Sequence, residues 1–118
     1  MAKILVVDDE ANFVNLLKLH LNKRYEIITA CDGEDALIKA KIECPDVITL
    51  DIIMPGINGI DVLRQLKKSK KTRKIPVILL TIVDKIEKRQ LAEAFDLIKK
   101  PLDEEKLISS IEKAINLS

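Results

Sequence analysis

Short apolar runs that alternate with helix-like segments constrain the fold of this chain more than any other feature. Each run has the length of a β-strand, and each is followed by helix-start signals or by apolar residues at helical spacing. The predicted strands cover residues 4–7, 25–30, 47–50, 77–80 and 95–99. Strands that alternate with helices form a parallel sheet with helices on both faces. The sequence therefore predicts an α/β fold, a doubly wound sheet of five strands with five helices.

The predicted helices have recognisable starts. Asn58 with Asp61 is typical of a capped start for helix three, and Asp84 with Glu87 of a similar start for helix four. Asp103 predicts the cap of the last helix. Helices one, two and four are predicted over about residues 10–23, 32–43 and 84–93. Helix three is predicted from residue 58 into the basic run 67–74, and helix five from residue 103 onward.

Polar side chains follow four of the predicted strands at the point where each strand ends. In chain order these are Asp8, Asp9, Asp51, Thr81 and Lys100. The carboxyl ends of parallel strands meet at one edge of the sheet, and open α/β sheets bind their ligands there. We therefore expect three carboxylates, a hydroxyl and an ammonium to converge at this edge.

This set of groups predicts phosphate chemistry assisted by a divalent cation. Three clustered carboxylates repel one another, so they require a cation or raised pKa values. Oxygen ligands suit Mg²⁺, and Mn²⁺ is possible with the same set. Lys100 can hold a phosphoryl oxygen, and Thr81 can donate a hydrogen bond to the same group. One carboxylate can then attack phosphorus and form an aspartyl phosphate.

Composition narrows the class of protein and its partners. The 118 residues suffice for one domain, predicted over residues 1–118, and the net charge of +1 favours neither nucleic acid nor a membrane as a bulk partner. No apolar run approaches 18 residues. Cys31 and Cys44 are too far apart for a CxxC motif, which favours free thiols in a reducing cytoplasm.

Four motifs resemble the receiver domains of two-component response regulators, and the resemblance covers the whole chain. The motifs are VVDDE (6–10), LDIIMPGINGIDVL (50–63), ILLT (78–81) and KKP (99–101). Together they are highly specific for this family, whose fold is flavodoxin-like with strand order 2-1-3-4-5. The resemblance also implies a cis peptide bond before Pro101.

The resemblance implies a role for each residue at the strand ends. Asp51 is the expected phosphoacceptor, assisted by Thr81 and Lys100, and a histidine kinase or phosphotransfer protein is the expected donor. Asp8, Asp9, Asp51 and the backbone carbonyl of Ile53 are the expected Mg²⁺ ligands. The implied protein is a cytoplasmic signalling protein that assists its own phosphorylation and dephosphorylation and switches its interaction with a downstream protein partner. Direct binding to nucleic acid or membrane is not expected.

The chain departs from the family pattern near the fourth and fifth strands. Family members usually carry an aromatic residue three positions before the active-site lysine, where this chain has Leu97. Phe95 lies two residues earlier and is predicted on the same strand face. The position after Thr81, small in most receivers, is Ile82. These departures predict an unusual read-out surface beside intact acidic chemistry.

Alternatives of other classes remain at this level. A receiver cut from a longer regulator, a small phosphatase with external substrates, and a flavin carrier of flavodoxin type share parts of the pattern. A phosphatase would be expected to carry a second acid two positions after Asp51, where this chain has Ile53. A flavin carrier would need a phosphate-cradling loop after the first strand, where this chain has acids. The basic run 67–74 is predicted as a solvated loop opposite Asp51, and His20 as a residue at the edge of a helix face.

Overall fold

A computed structural model describes residues 1–83 and 85–116 and shows five parallel strands in the order β2-β1-β3-β4-β5. This is the predicted flavodoxin-like order. The strands are β1 Lys3–Val7, β2 Glu26–Ala30, β3 Val47–Asp51, β4 Val77–Thr81 and β5 Asp96–Lys99. β3 and β4 are buried along their whole length because each lies between two other strands.

The first four helices connect successive strands, and the fifth follows β5. They are α1 Ala11–Leu21, α2 Gly33–Glu43, α3 Gly59–Lys68, α4 Lys88–Leu91 and α5 Glu104–Asn116. Among the described residues, no helix is long and apolar enough to cross a membrane.

Alternating residues of the strands build two apolar layers, one on each face of the sheet. Leu5, Ile48 and Leu79 belong to a layer that includes residues of α2 and α3. Their neighbours Ile4 and Ile78 belong to a second layer, with residues of α1 and α5. Each such fully buried side chain stabilises the fold by about 1.5–3 kcal/mol. The two layers cover both faces of the sheet, and its carboxyl edge carries the polar residues.

Three helices begin at side-chain caps, and the sequence predicts two of them, at Asn58 and Asp103. Asp32 Oδ1 accepts a hydrogen bond from the Asp35 amide at 2.8 Å, and Asn58 Oδ1 accepts one from the Asp61 amide at 3.0 Å. Asp103 does the same for the start of α5, where its Oδ1 lies 3.0 Å from the Glu105 nitrogen. A side-chain cap is worth about 1 kcal/mol. The predicted cis peptide bond between Lys100 and Pro101 is also confirmed.

The prediction for helix four was wrong in length. The helix spans Lys88–Leu91 rather than residues 84–93, and its N-cap residue Glu87 forms no side-chain cap bond among the described residues. Asp84, the other half of the predicted capping box, lies outside the described residues. Within the described chain, none of the four residues of α4 is buried, so it gains little from packing.

The prediction that Phe95 and Leu97 share a face was also wrong. Leu97 packs against the layer of α2 and α3, whereas Phe95 packs against the layer of α1 and α5. Phe95 precedes β5, so the alternation of a regular strand does not govern its side chain. Its amide still donates to the carbonyl of Val77 at 2.8 Å.

The basic run 67–74 begins in the last turn of α3 and continues as a compact turn before β4. Lys67 Nζ donates to the backbone carbonyls of Arg73 and Ile75, at 3.1 and 2.7 Å. The buried hydroxyl of Thr72 donates to the Leu66 carbonyl at 2.6 Å. Most of the other basic side chains are exposed, as expected for a solvated loop.

Candidate functional site

The predicted residues meet at the carboxyl edge of the sheet. Asp51 and Thr81 are the last residues of β3 and β4, while Asp8 and Lys100 directly follow β1 and β5. The register pairs Asp51 with Leu80, and the Lys100 amide donates to the Thr81 carbonyl at 2.8 Å. The parallel sheet therefore places these side chains side by side, although up to 92 positions separate them in the chain.

Three carboxylates form the floor of the site. Asp8, Asp9 and Asp51 each offer one oxygen, and these atoms all lie within 4.8 Å of one another. Asp8 and Asp51 are 2% and 7% exposed, whereas Asp9 is open to solvent. The cluster is thus closed on the protein side and accessible from outside. That arrangement suits a hydrated divalent cation, which keeps several waters.

Lys100 spans the two buried acids. Its Nζ lies 2.8 Å from Asp8 Oδ2 and 3.4 Å from Asp51 Oδ2, and its side chain is 15% exposed. Burial lowers the pKa of the Lys100 ammonium, but the hydrogen bond and charge of Asp8, together with Asp51, outweigh burial and raise it overall. Lys100 therefore stays charged at neutral pH and partly neutralises the acids.

Asp51 is held at a position that is costly for a charge. Burial raises the pKa of the Asp51 carboxyl; Lys100 lowers it, Asp8 raises it further, and the net direction is upward. The Ile53 amide donates to Asp51 Oδ1 at 3.3 Å and orients the carboxylate. An ionised, oriented carboxylate with restricted hydration is a suitable nucleophile.

The loop after Asp51 folds tightly against the strand end. The Gly59 amide donates to the Ile52 carbonyl at 2.8 Å. A Cβ at Gly59 would lie 2.3 Å from the backbone oxygen of Asp51, so a larger residue there would push the loop outward. This close approach keeps the amide of Ile53 beside the acid.

Thr81 and two isoleucines complete the surroundings. The Thr81 hydroxyl is fully buried and accepts a hydrogen bond from the Val83 amide at 2.9 Å, which leaves its hydrogen as a donor. Ile53 is 52% exposed and Ile82 69% exposed. Ile53 and Ile82, which follow β3 and β4, thus place apolar side chains at the surface beside the acidic site.

Sequence reasoning missed Phe13 as a member of this site. The sequence places Phe13 on the apolar face of helix one, but the ring also lies under the Lys100 ammonium, with Nζ 4.0 Å from its centroid. The available signal was its position in the first turn of the helix that follows Asp8 and Asp9.

Other singled-out residues lie apart from the acids. His20 is exposed, and its Nδ1 is 2.9 Å from Glu104 Oε2. Cys31 and Cys44 are free and exposed in the described part of the chain, in agreement with the expectation of free thiols.

Comparison with known proteins agrees with this geometry. The sequence profile of the response regulator receiver domain matches residues 4–112. Protein PilH of Pseudomonas aeruginosa is 41% identical over 94% of this chain and 95% of its own length. Response regulator PleD of Caulobacter vibrioides is 45% identical over 93% of this chain. The chain spans only 25% of PleD and 34% of the alkaline phosphatase synthesis transcriptional regulatory protein PhoP of Bacillus subtilis.

Solved structures give the same classification. The response regulator TrrA of Thermotoga maritima, determined in complex with Mg²⁺ and BeF, superposes with a TM-score of 0.88 at 38% identity. The alignment covers 97% of this chain and 99% of TrrA. The chain therefore belongs to the response regulator receiver domain family, a class of signalling modules. Membership in this family argues against the flavin-carrier and phosphatase alternatives.

Proposed function

We propose that this chain is a phosphoacceptor of two-component signalling. Asp51 receives a phosphoryl group from a phosphorylated histidine of a histidine kinase or phosphotransfer protein. The observation that carries the proposal is the position of Asp51, a buried carboxylate 3.4 Å from an ammonium and within a cluster of three acids. The phosphorylated state then changes the interaction of the chain with a downstream protein partner.

The residues of the cluster fit a divalent cation. The carboxylates of Asp8, Asp9 and Asp51 would hold Mg²⁺, with Mn²⁺ as a second candidate, and the backbone carbonyl of Ile53 is the fourth proposed protein ligand. When bound, the cation supplies positive charge that offsets the charge of the phosphoryl oxygens. The Lys100 ammonium supplies a second positive charge at the same edge.

The transfer is an in-line displacement at phosphorus. A carboxylate oxygen of Asp51 attacks, the new O–P bond forms, and the P–N bond to the donor imidazole breaks. The bonding electron pair returns to the imidazole nitrogen, and the ring leaves as neutral imidazole because the other ring nitrogen of the phosphorylated donor carries a proton. Lys100 binds a phosphoryl oxygen, and the Thr81 hydroxyl donates a hydrogen bond to another. The protein contributes mainly position and charge.

The chain then acts through a protein partner in the cytoplasm. We propose no direct contact with nucleic acid or membrane, because the charges are balanced at a net +1. The chain assists its own phosphorylation and dephosphorylation and does not turn over external substrates.

The direct test is chemical phosphorylation. Incubation with acetyl phosphate and Mg²⁺, followed by peptide mass spectrometry, should locate one phosphoryl group on Asp51. Asp51→Asn should abolish the modification, while Asp61→Asn, the same change in the first turn of α3, should leave it intact. Modification of His20 instead, or no modification in the presence of Mg²⁺, would overturn the proposal.

A further inference from the structure

We infer that Phe13 is a positioning residue for Lys100, whose ring keeps the ammonium over the site when the carboxylates turn toward a cation. This inference rests on the proposed function of Asp51. It assigns Phe13 a role in the phosphorylation chemistry beyond its packing between α1 and the sheet.

The ring is one of three groups around the ammonium. Nζ of Lys100 lies 4.0 Å from the centroid of the Phe13 ring, 2.8 Å from Asp8 Oδ2 and 3.4 Å from Asp51 Oδ2. An ammonium within about 6 Å of an aromatic centroid is attracted to the ring face, more strongly where water is restricted. The Lys100 side chain is 15% exposed, so water is restricted here.

The three contacts respond differently to a divalent cation. Asp8 and Asp51 belong to the cluster of acids, so a bound cation competes with Lys100 for their oxygens. The cation also repels the ammonium directly. The Phe13 ring is uncharged and offers no ligand to a metal ion. Its contact with Lys100 therefore persists when the ion pairs weaken.

A neighbouring cavity offers the Lys100 side chain a second position, away from Asp51. Phe13, Lys100 and Glu104 line one cavity of about 400 Å³ between α1 and α5. A smaller side chain at position 13 would open room through which the ammonium can turn toward the Glu104 carboxylate, away from Asp51. The ring thus stabilises the Lys100 ammonium beside Asp51 and leaves it less room to turn toward Glu104.

The start of α1 fixes the ring relative to the acids. The Glu10 amide donates to Asp8 Oδ1 at 3.0 Å, directly before the helix begins at Ala11. The buried side chains of Leu17 and Leu21 anchor the helix on the sheet. A short rigid segment therefore carries both Asp8 and the ring.

The test uses Phe13→Leu, which removes the ring, and Phe13→Tyr, which retains it. Phe95→Leu is the matched control, because Phe95 packs against the same apolar layer. NMR of the lysine side chains, with Lys100 assigned through Lys100→Arg, is recorded with Mg²⁺ alone and with Mg²⁺ and beryllofluoride. In the parent protein the methylene protons next to Lys100 Nζ should be shifted upfield by the ring in both states. The Lys100 ammonium protons should exchange slowly with water.

Phe13→Leu should lose the slow exchange and be phosphorylated by acetyl phosphate about fivefold more slowly at saturating Mg²⁺. Its Mg²⁺ affinity, measured by calorimetry, should not fall, because the three carboxylates are untouched and an ammonium that has turned away competes less for their oxygens. Phe13→Tyr and Phe95→Leu should behave like the parent protein. If Phe13→Leu does not fold, Phe13→Met, whose flexible apolar side chain lacks the ring, is expected to show the same losses.

Two results would overturn the inference. One is disappearance of the upfield shift when Mg²⁺ and beryllofluoride are added to the parent protein. The other is a ring-less variant that reacts as fast as Phe95→Leu. Failure of the proposed function is distinguishable, because the parent itself would then remain unphosphorylated while the lysine signals with Mg²⁺ alone still test the contact.

Discussion

At the scale of single residues, the site stores electrostatic strain in Asp51. The carboxylate ends a strand that is buried along its whole length, and Asp8 lies beside it. Lys100 compensates only in part, since the pKa of Asp51 remains raised by burial. Without a cation, the charge on Asp51 opposes folding.

Asp51→Asn should therefore stabilise the metal-free protein at neutral pH. The folded pKa of Asp51 lies above its unfolded value of about 4, so the carboxyl contributes stability below pH 4 and loses it as pH rises through the folded pKa. Thermal melts without Mg²⁺ should show the variant melting up to about 4 °C higher, which corresponds to about 1 kcal/mol. The difference should be larger at pH 7.5 than at pH 5.

Asp61→Asn is the control, because Asp61 lies outside the acid cluster and pairs with Arg64 at 3.5 Å. It should change the melting temperature little and show no such pH dependence. A parent protein that melts above Asp51→Asn at neutral pH without metal would contradict the strained pocket.

Residues that follow β3 and β4 should control the lifetime of the phosphoryl group on Asp51. Ile53 and Val83 each lie two positions after a site residue, and neither side chain can orient an attacking water. Positioning of water is a sizeable part of phosphoryl-transfer catalysis. Ile53→Asn combined with Val83→Glu should therefore speed loss of phosphate about tenfold, equivalent to about 1.4 kcal/mol of barrier.

The measurement is the decay of phosphorylated protein at saturating Mg²⁺. Ile42→Asn is a matched control, because Ile42 is an isoleucine 73% exposed on α2, outside the site. An unchanged lifetime in the double variant would show that these side chains do not guard Asp51.

At the scale of elements, local signals predicted the well-packed helices and failed for α4. α3 has a cap at Asn58 and buries Val62, Leu63 and Leu66, so its local signal and its packing agree. The segment before Phe95 carries a plausible cap motif in sequence, but none of the four described α4 residues is buried, and Leu91 packs against the core only as a partly buried side chain. A capping pattern alone does not offset the entropy of ordering a helix.

β3 carries a buried hydroxyl, that of Thr49, for which the described residues provide no hydrogen-bond partner. Replacement by valine removes the unpaired group at nearly constant volume, so Thr49→Val should stabilise the protein by about 1 kcal/mol. Urea unfolding measures the change, with Thr72→Val as the contrast: that hydroxyl donates to the Leu66 carbonyl, and its loss should destabilise. Destabilisation by Thr49→Val would reveal a partner for the hydroxyl.

At the scale of the whole molecule, the topology explains why the site was predictable from sequence. Parallel strands bring their carboxyl ends to one edge, so the residue after each strand is a site candidate whatever its chain position. Asp8, Asp51 and Lys100 were found in this way. Contacts between elements, such as Phe13 with Lys100 or Phe95 with the α1 and α5 layer, depend on how helices and loops settle on the sheet. Strand periodicity carries no information about them.

Mg²⁺ should stabilise the whole fold, because it relieves repulsion among the three carboxylates of Asp8, Asp9 and Asp51. A ligand that binds only the native state adds about 2.7 kcal/mol at 100 times its dissociation constant. The melting temperature of the parent should therefore rise steadily with Mg²⁺ concentration. Asp9→Ala should remove most of this rise at little cost in metal-free stability, because Asp9 is exposed yet contributes an oxygen to the cluster.

Glu10→Ala is the matched control for this titration. Glu10 is the exposed neighbour of Asp9, lies outside the three-acid cluster and forms no side-chain cap for α1 within the described chain. Its variant should keep the full Mg²⁺ response. A response in Asp9→Ala equal to that of Glu10→Ala would mean that Asp9 is not a ligand. A parent protein insensitive to Mg²⁺ would mean that Lys100 alone balances the acids, since its Nζ already lies within 3.4 Å of both Asp8 and Asp51.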